Sequence, residues 1–284
     1  MTAEPAPAVP DSPSTSARRA GRNLPAAVGV GVVLAGLLVV CLYTAPVAFV
    51  VLAVAALELG VWELVDAVAH AGAHPPRLPL LAGTAAILVA AYVAGSDGLV
   101  VAFALTVVAV MVWRLAERPP GAVADLTAAV WIAAYAPLMA GFVMLMIVQP
   151  QGAGRIAVFV IAVVGNDIGG YAAGVWAGRH PMAPTISPKK SWEGFAGSVV
   201  VGTVAGAVFL PLLVHGAAWK GGVVGVCCVL AATLGDLGES LVKRDLGLKD
   251  MSNLLPGHGG MMDRLDSLIP AAPVAYLLYS ALLR

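Results

Sequence analysis

Apolar stretches long enough to cross a bilayer follow one another from residue 25 to the end of the chain. They cover 25–43, 45–65, 78–95, 98–115, 122–148, 155–178, 193–214, 220–242 and 266–283. Each is apolar over roughly the thickness of a hydrocarbon core, which takes about 20 helical residues. Open sheet edges cannot face lipid, so the spans are predicted to be helices. Composition agrees: the chain is 60% hydrophobic and only 11% charged, with a mean hydropathy of +0.91. Soluble domains carry about 25% charged residues, and so few charges could not cover a water-facing surface. The expected fold is an all-α integral membrane protein, a polytopic bundle of about nine transmembrane helices.

The chain divides into three parts. Residues 1–23 hold Pro5, Pro7, Pro10 and Pro13 among Ala, Ser and Thr, with no apolar period. They are expected to form a disordered Pro/Ala-rich tail. Arg18, Arg19 and Arg22 before an apolar run imitate a signal peptide, but the many spans that follow favour a retained first helix. Residues 24–150 supply N-terminal transmembrane helices, and 151–284 a C-terminal catalytic membrane region with cytoplasmic loops. The span at 122–148 is long and contains Pro137, so it is expected to tilt, kink or split. With the N-terminus inside, only Arg155, Lys220 and Arg284 of the sixteen Lys and Arg residues fall outside. The positive-inside rule thus predicts a cytoplasmic N-terminus and places the two richest polar segments, 179–192 and 243–265, on the cytoplasmic side of the cell membrane.

Net charge is zero, so no global field favours nucleic acid. Cys41, Cys227 and Cys228 lie in apolar runs without zinc or redox spacing and read as small buried hydrophobes. Gly152-x-Gly154 has no preceding strand and is no dinucleotide fingerprint, and a P-loop motif is absent from the sequence.

Chemistry concentrates between Gly235 and Asp266. Asp236, Glu239 and Lys243 are three and four residues apart and share a helix face. Asp263 and Asp266 are three apart at the start of the last span. Carboxylates at membrane helix ends are costly unless paired, hydrated or metal-bound. Two helix ends with paired carboxylates can hold Mg²⁺, which prefers one or two carboxylates together with substrate phosphates. The glycines around His258, including Gly259 and Gly260, let the backbone approach a phosphate ahead of a helix N-terminus. A second segment carries Asn166-Asp167 in an apolar span and then Ser187-Pro188-Lys189-Lys190-Ser191, whose lysines suit phosphate.

The run from Ser240 through Lys243-Arg244, Lys249-Asp250, Pro256, His258-Gly259-Gly260 and Asp263-Arg264-x-Asp266 resembles the signature of the phosphatidate cytidylyltransferase family. The segments at Asp167 and Ser187–Gly194 are similar to the same family, and the resemblance extends over about 155–284. Two positions depart from it. Ile168 stands where the family often has Thr, removing a hydroxyl, and Ser191 replaces a frequent Thr and keeps one.

The resemblance implies a homodimeric enzyme that joins CTP and phosphatidic acid into CDP-diacylglycerol, releasing pyrophosphate, with Mg²⁺ and room for a second cation. Asp236, Asp263, Lys243 and Arg264 are the catalytic candidates. Asp236 and Asp263 are the first choices for metal ligands, with Glu239 and Asp266 next. Asp167, Ser187, Lys189, Lys190, Ser191, Arg244, Lys249, His258, Gly259 and Gly260 are candidates for substrate binding. Two other readings share the composition: a CTP-dependent polyprenol kinase, and a cation-coupled transporter using Asp167 and Asp236. The basic clusters and the Gly-His-Gly-Gly turn argue against the transporter.

Overall fold

A computed structural model describes residues 24–117, 120–252, 254 and 259–283. The tail at 1–23 and His258 lie outside the described residues. The elements are α1 (Leu24–Thr44), α2 (Pro46–His70), α3 (Arg77–Glu117), α4 (Ala122–Ala133), α5 (Met139–Ile147), α6 (Gly152–Ala177), β1 (Pro181–Ala183), β2 (Ser187–Ser191), α7 (Trp192–Val214), α8 (Ala218–Asp245), α9 (Met262–Leu265) and α10 (Leu268–Leu282).

Among the described residues, seven helical spans are long and apolar enough to cross a membrane, with α4–α5 and α9–α10 each counted as one. The polytopic helical architecture follows the hydropathy pattern. Spans 78–95 and 98–115 are the two arms of α3, which meet at Gly95 (φ 67°, ψ −149°) and fold back on each other, so that a Cβ on Gly83 would strike Thr106. At 1.5 Å per residue each arm is about 30 Å long, one hydrocarbon core. The break uses a backbone conformation that costs glycine little.

The span with Pro137 divides as its proline requires. A π-turn at Ala134–Leu138 joins α4 to α5 and contains Pro137. Proline donates no N–H and its ring crowds the carbonyl four residues back, so a wider turn accommodates it.

One small feature lies beside the all-α bundle. Residues 181–191 form a two-stranded antiparallel hairpin in which Pro181 pairs with Ser191 and Ala183 with Ser187. Lys189 and Lys190 therefore sit on a strand.

The C-terminal helices pack in series: α6 on α7, α7 on α8, and α8 on α10. Their backbones approach closely at glycines. A Cβ on Gly169 would strike the carbonyl of Gly197, and one on Gly206 that of Gly221. Helices in lipid gain from such contacts because apolar side chains have little to gain by leaving lipid for one another. The N-terminal helices join this unit where α2 meets α9 and where α5 meets α10.

Two buried charge networks sit away from the polar loops. Arg114 pairs with Asp125 and with Glu117 (2.6 Å), and Asp125 also accepts the His74 backbone N–H. At the other end of the bundle, Arg155 donates to Gln149, Lys220 Nζ donates to the Leu282 carbonyl (2.6 Å), and Tyr279 donates to the Arg155 carbonyl (3.0 Å). Lys220 thereby satisfies a carbonyl left open at the end of α10.

Candidate active site

The hairpin is held rigidly against two helices. Ser191 caps α7 by accepting the Gly194 N–H at 3.1 Å. Glu193, in the first turn of α7, accepts the N–H groups of Arg179 (3.1 Å) and His180 (3.2 Å) and contacts the His180 ring. Arg244, near the end of α8, donates to the Ile186 carbonyl (3.2 Å). Sequence reading made Arg244 a phosphate contact; here its Nε ties α8 to the hairpin tip.

This bracing closes a cavity of about 350 Å³ between α6, β2, α7 and α8. Six of the residues singled out from sequence line it: Asp167, Ser187, Lys189, Lys190, Ser191 and Asp236. Lys190 and Asp236 form an ion pair across it, each side chain about a quarter exposed at 25% and 29%. Ser240 donates weakly to Asp236 (3.4 Å). A buried polar floor backs the cavity. Asn166 donates to Asp167 (2.9 Å) and accepts Thr233 (3.2 Å), while Ser198 donates to the Asn166 carbonyl (2.6 Å). Asn166, Ser198 and Thr233 received no role from sequence. An asparagine beside an aspartate in an apolar helix was the available signal.

A second knot adjoins this cavity at the C-terminal end of α8. Lys243 bridges Glu239 (3.2 Å) and Asp263 (2.8 Å). The other oxygen of Asp263 accepts the Gly260 N–H (2.7 Å) and the Met251 N–H (3.0 Å). Gly259 takes φ +78°, a conformation glycine supplies without strain, and so aims the Gly260 N–H at Asp263. Asp266 accepts the Ser267 N–H (2.6 Å) and lies against the carboxyl of Glu239. The charges of Asp167, Asp236 and Asp266 act on one another, so cavity and knot form one electrostatic unit.

Glu63 is a site residue that sequence reading left without a role. It sits in α2 and is 3% exposed. Its carboxylate accepts Ser252 Oγ (2.6 Å), Met261 N–H (2.9 Å) and Met262 N–H (2.8 Å). It thus anchors the loop carrying Gly259 and Gly260 to the N-terminal helices. An ionisable residue inside an apolar span was the signal. Lys249 and Arg264 are exposed and do not line the cavity.

Among the described residues, no three His, Cys, Asp or Glu side chains converge as a ready-made metal cage. The donor chemistry nevertheless suits a hard cation: Asp236, Glu239, Asp263 and Asp266 supply oxygen only. Glu239 is 1% exposed, and its Oε1 has no hydrogen-bond partner among the described residues. A buried unpartnered carboxylate oxygen beside a second carboxylate is a costly arrangement that a cation relieves.

Known proteins place these features in a family. The model of the Cytidylyltransferase family matches residues 25–282. A phosphatidate cytidylyltransferase of Mycobacterium leprae (strain TN) is 44% identical over 280 residues, covering 93% of this chain and 90% of the relative. One from Mycobacterium tuberculosis (strain ATCC 25618 / H37Rv) is 41% identical over 292 residues, covering 98% and 89%. A further phosphatidate cytidylyltransferase, from Pseudomonas aeruginosa, is 41% identical over 145 residues, or 46% of this chain and 50% of the relative. The match over nearly the full length shows that this chain belongs to the cytidylyltransferase family.

Proposed function

We propose that the chain catalyses transfer of the cytidylyl group from CTP to phosphatidic acid, giving CDP-diacylglycerol and pyrophosphate. It is a membrane enzyme of the nucleotidyltransferase class. The observation that carries the reading is the cavity in which Lys189 and Lys190 on β2 face Asp167 and Asp236 on membrane helices. Cationic and anionic groups on opposite walls suit two phosphate-bearing substrates that share a metal ion.

A phosphate oxygen of phosphatidic acid attacks the α-phosphorus of CTP, and pyrophosphate departs. The nucleophile is already anionic near neutral pH, so catalysis rests on positioning and charge neutralisation. Lys189 and Lys190 bind phosphate oxygens. Ser187 and Ser191 supply hydroxyl donors at the same wall. Gly259, Gly260 and His258 shape the phosphate turn, with Lys249 and Arg264 as outer cations.

Asp236 and Asp263 are the proposed Mg²⁺ ligands, supported by Glu239 and Asp266, and the same carboxylates leave room for a second cation. When bound, Mg²⁺ neutralises triphosphate oxygens and the leaving pyrophosphate. Lys190 and Lys243 pair with Asp236 and Asp263, and their ammonium groups would stand beside phosphate oxygens if these carboxylates held the cation. Thirteen of the sixteen Lys and Arg residues fall on one side of the sequence-derived topology. That supports a cytoplasmic N-terminus and a cytoplasm-facing site in the plasma membrane. A homodimer completes the reading, supported by the family resemblance.

Purified full chain in lipid, given CTP, phosphatidic acid and Mg²⁺, is expected to release pyrophosphate and form a lipid of the mass of CDP-diacylglycerol. Release of CDP with a polyprenol acceptor, and none of this lipid, would overturn the reading.

A further inference from the structure

Two buried polar atoms near the knot lack partners among the described residues, and they are chemically complementary. One is the acceptor Glu239 Oε1 and the other is the donor Tyr135 Oη. Tyr135 belongs to the N-terminal helices, in the π-turn at Ala134–Leu138. Its ring stacks on Trp131, with centroids 5.2 Å apart and planes within 6°. That stack fixes the ring while the wide turn sets its direction. The carboxylates close enough to act electrostatically on its hydroxyl are Glu239, then Asp266 and Asp236. Donors already reach Glu239 Oε2 from Lys243, Asp266 Oδ1 from the Ser267 N–H, and Asp236 from Lys190 and Ser240.

A hydroxyl buried without a partner costs stability, so its presence calls for a reason. π-turns occur disproportionately at functional sites, where they re-aim a side chain. Phenol suits this place because it is neutral. A cation there would compete with the metal for the same carboxylates, and a phenylalanine could orient none of them.

We infer that Tyr135 is a positioning residue of the active site, its hydroxyl donating to Glu239 Oε1 in the loaded enzyme and fixing that carboxylate for the metal. This rests on the cytidylyltransferase reading for its activity test, but its binding test stands apart. It also gives the N-terminal helices a direct part in the chemistry.

The test compares wild type, Tyr135→Phe and Tyr135→Leu as full chains in lipid. Thermal unfolding is measured with and without Mg²⁺, and turnover across a Mg²⁺ titration. Tyr135→Phe is expected to lose about 10- to 100-fold in turnover, as when a group supporting a metal ligand is removed. Its Mg²⁺ requirement should rise, and its Mg²⁺-induced thermal shift should shrink. Its unfolding temperature without Mg²⁺ should be unchanged or higher, because an unpartnered hydroxyl has gone. Wild-type activity and Mg²⁺ response in Tyr135→Phe, with impairment only in Tyr135→Leu, would mean the ring merely packs and would overturn the inference. So would a Tyr135→Phe chain that unfolds more easily without Mg²⁺, since the hydroxyl would then be a structural donor. A wild-type chain whose unfolding ignores Mg²⁺ would also overturn it, whatever its activity. Wild type that responds to Mg²⁺ but makes no CDP-diacylglycerol would sink the cytidylyltransferase reading alone, and the thermal shifts would still judge Tyr135.

Discussion

The chain buries ion pairs in two places, and they are built differently. At the junction of α3 and α4, Arg114 pairs with Asp125 and Glu117, and a backbone N–H completes Asp125. Arg114 and Asp125 are 9% and 3% exposed and do not line the cavity between α6, β2, α7 and α8. At the hairpin and the α8 end, Asp236 pairs with Lys190, and Glu239 and Asp263 pair with Lys243. Asp266 presses on Glu239, and the Lys190–Asp236 pair opens on a cavity. The first network is closed off from the cavity and serves the fold. The second opens on the cavity, where its carboxylates and lysines suit a cation and anionic substrates. Buried charge alone does not mark a site; charge beside space does.

The comparison breaks most visibly at Asp236. Asp236→Ala is expected to cut turnover at least about a hundredfold, the scale seen when one electrostatic contact to the reacting phosphate or its equivalent is lost. Its unfolding temperature should barely move, because both members of the Lys190–Asp236 pair are partly exposed and such pairs contribute little to stability. Pyrophosphate release and a melting curve on the same preparation check both halves. Near-normal turnover would remove Asp236 from the metal site.

Arg114→Ala is expected to do the reverse. Removing one partner of a buried pair strands the other, at a cost of about 3–5 kcal/mol. Stability should fall sharply while turnover per folded molecule holds. The double variant Arg114→Met/Asp125→Leu removes both charges and should recover most of the loss. If Arg114→Ala were stable but inactive, the closed network would belong with the open one.

How much of this could be read in the sequence depended on distance along the chain. Hydropathy is a one-dimensional property, so the helical spans were legible, even to the break near Gly95 and the division at Pro137. Asp167, Lys189, Lys190 and Asp236 were legible as one group because local spacing and a family signature carried them. The hairpin was not, since Ser187-Pro188-Lys189-Lys190-Ser191 has no apolar alternation to announce a strand. Its shape comes from Ser191 and Glu193 fastening it to α7. Glu63 and Tyr135 were less legible still. Glu63 meets Ser252 across 189 positions of sequence, and only the docking of α2 on α9 makes the contact. The N-terminal helices looked like a plain apolar scaffold because their two polar contributions have no local pattern.

The smallest of these effects sharpens that point. Glu63→Gln keeps Oε1 as an acceptor, so Ser252 and Met261 can retain their bonds. It replaces Oε2 with an amide NH₂ facing the Met262 N–H, which loses its acceptor. The cost of one unsatisfied buried donor is about 1–3 kcal/mol. That cost falls on the loop bearing Gly259 and Gly260, which are placed by the same turn that feeds α9. Turnover should drop by roughly tenfold or less, with a modest fall in unfolding temperature. Glu63→Ala, which removes all three acceptor contacts, should exceed it on both measures. Kinetics with CTP varied at fixed phosphatidic acid distinguishes a misplaced phosphate turn, seen mainly in KM for CTP, from a lost catalytic group, seen in kcat. An effect on stability without any change in kinetics would return α2 to the scaffold.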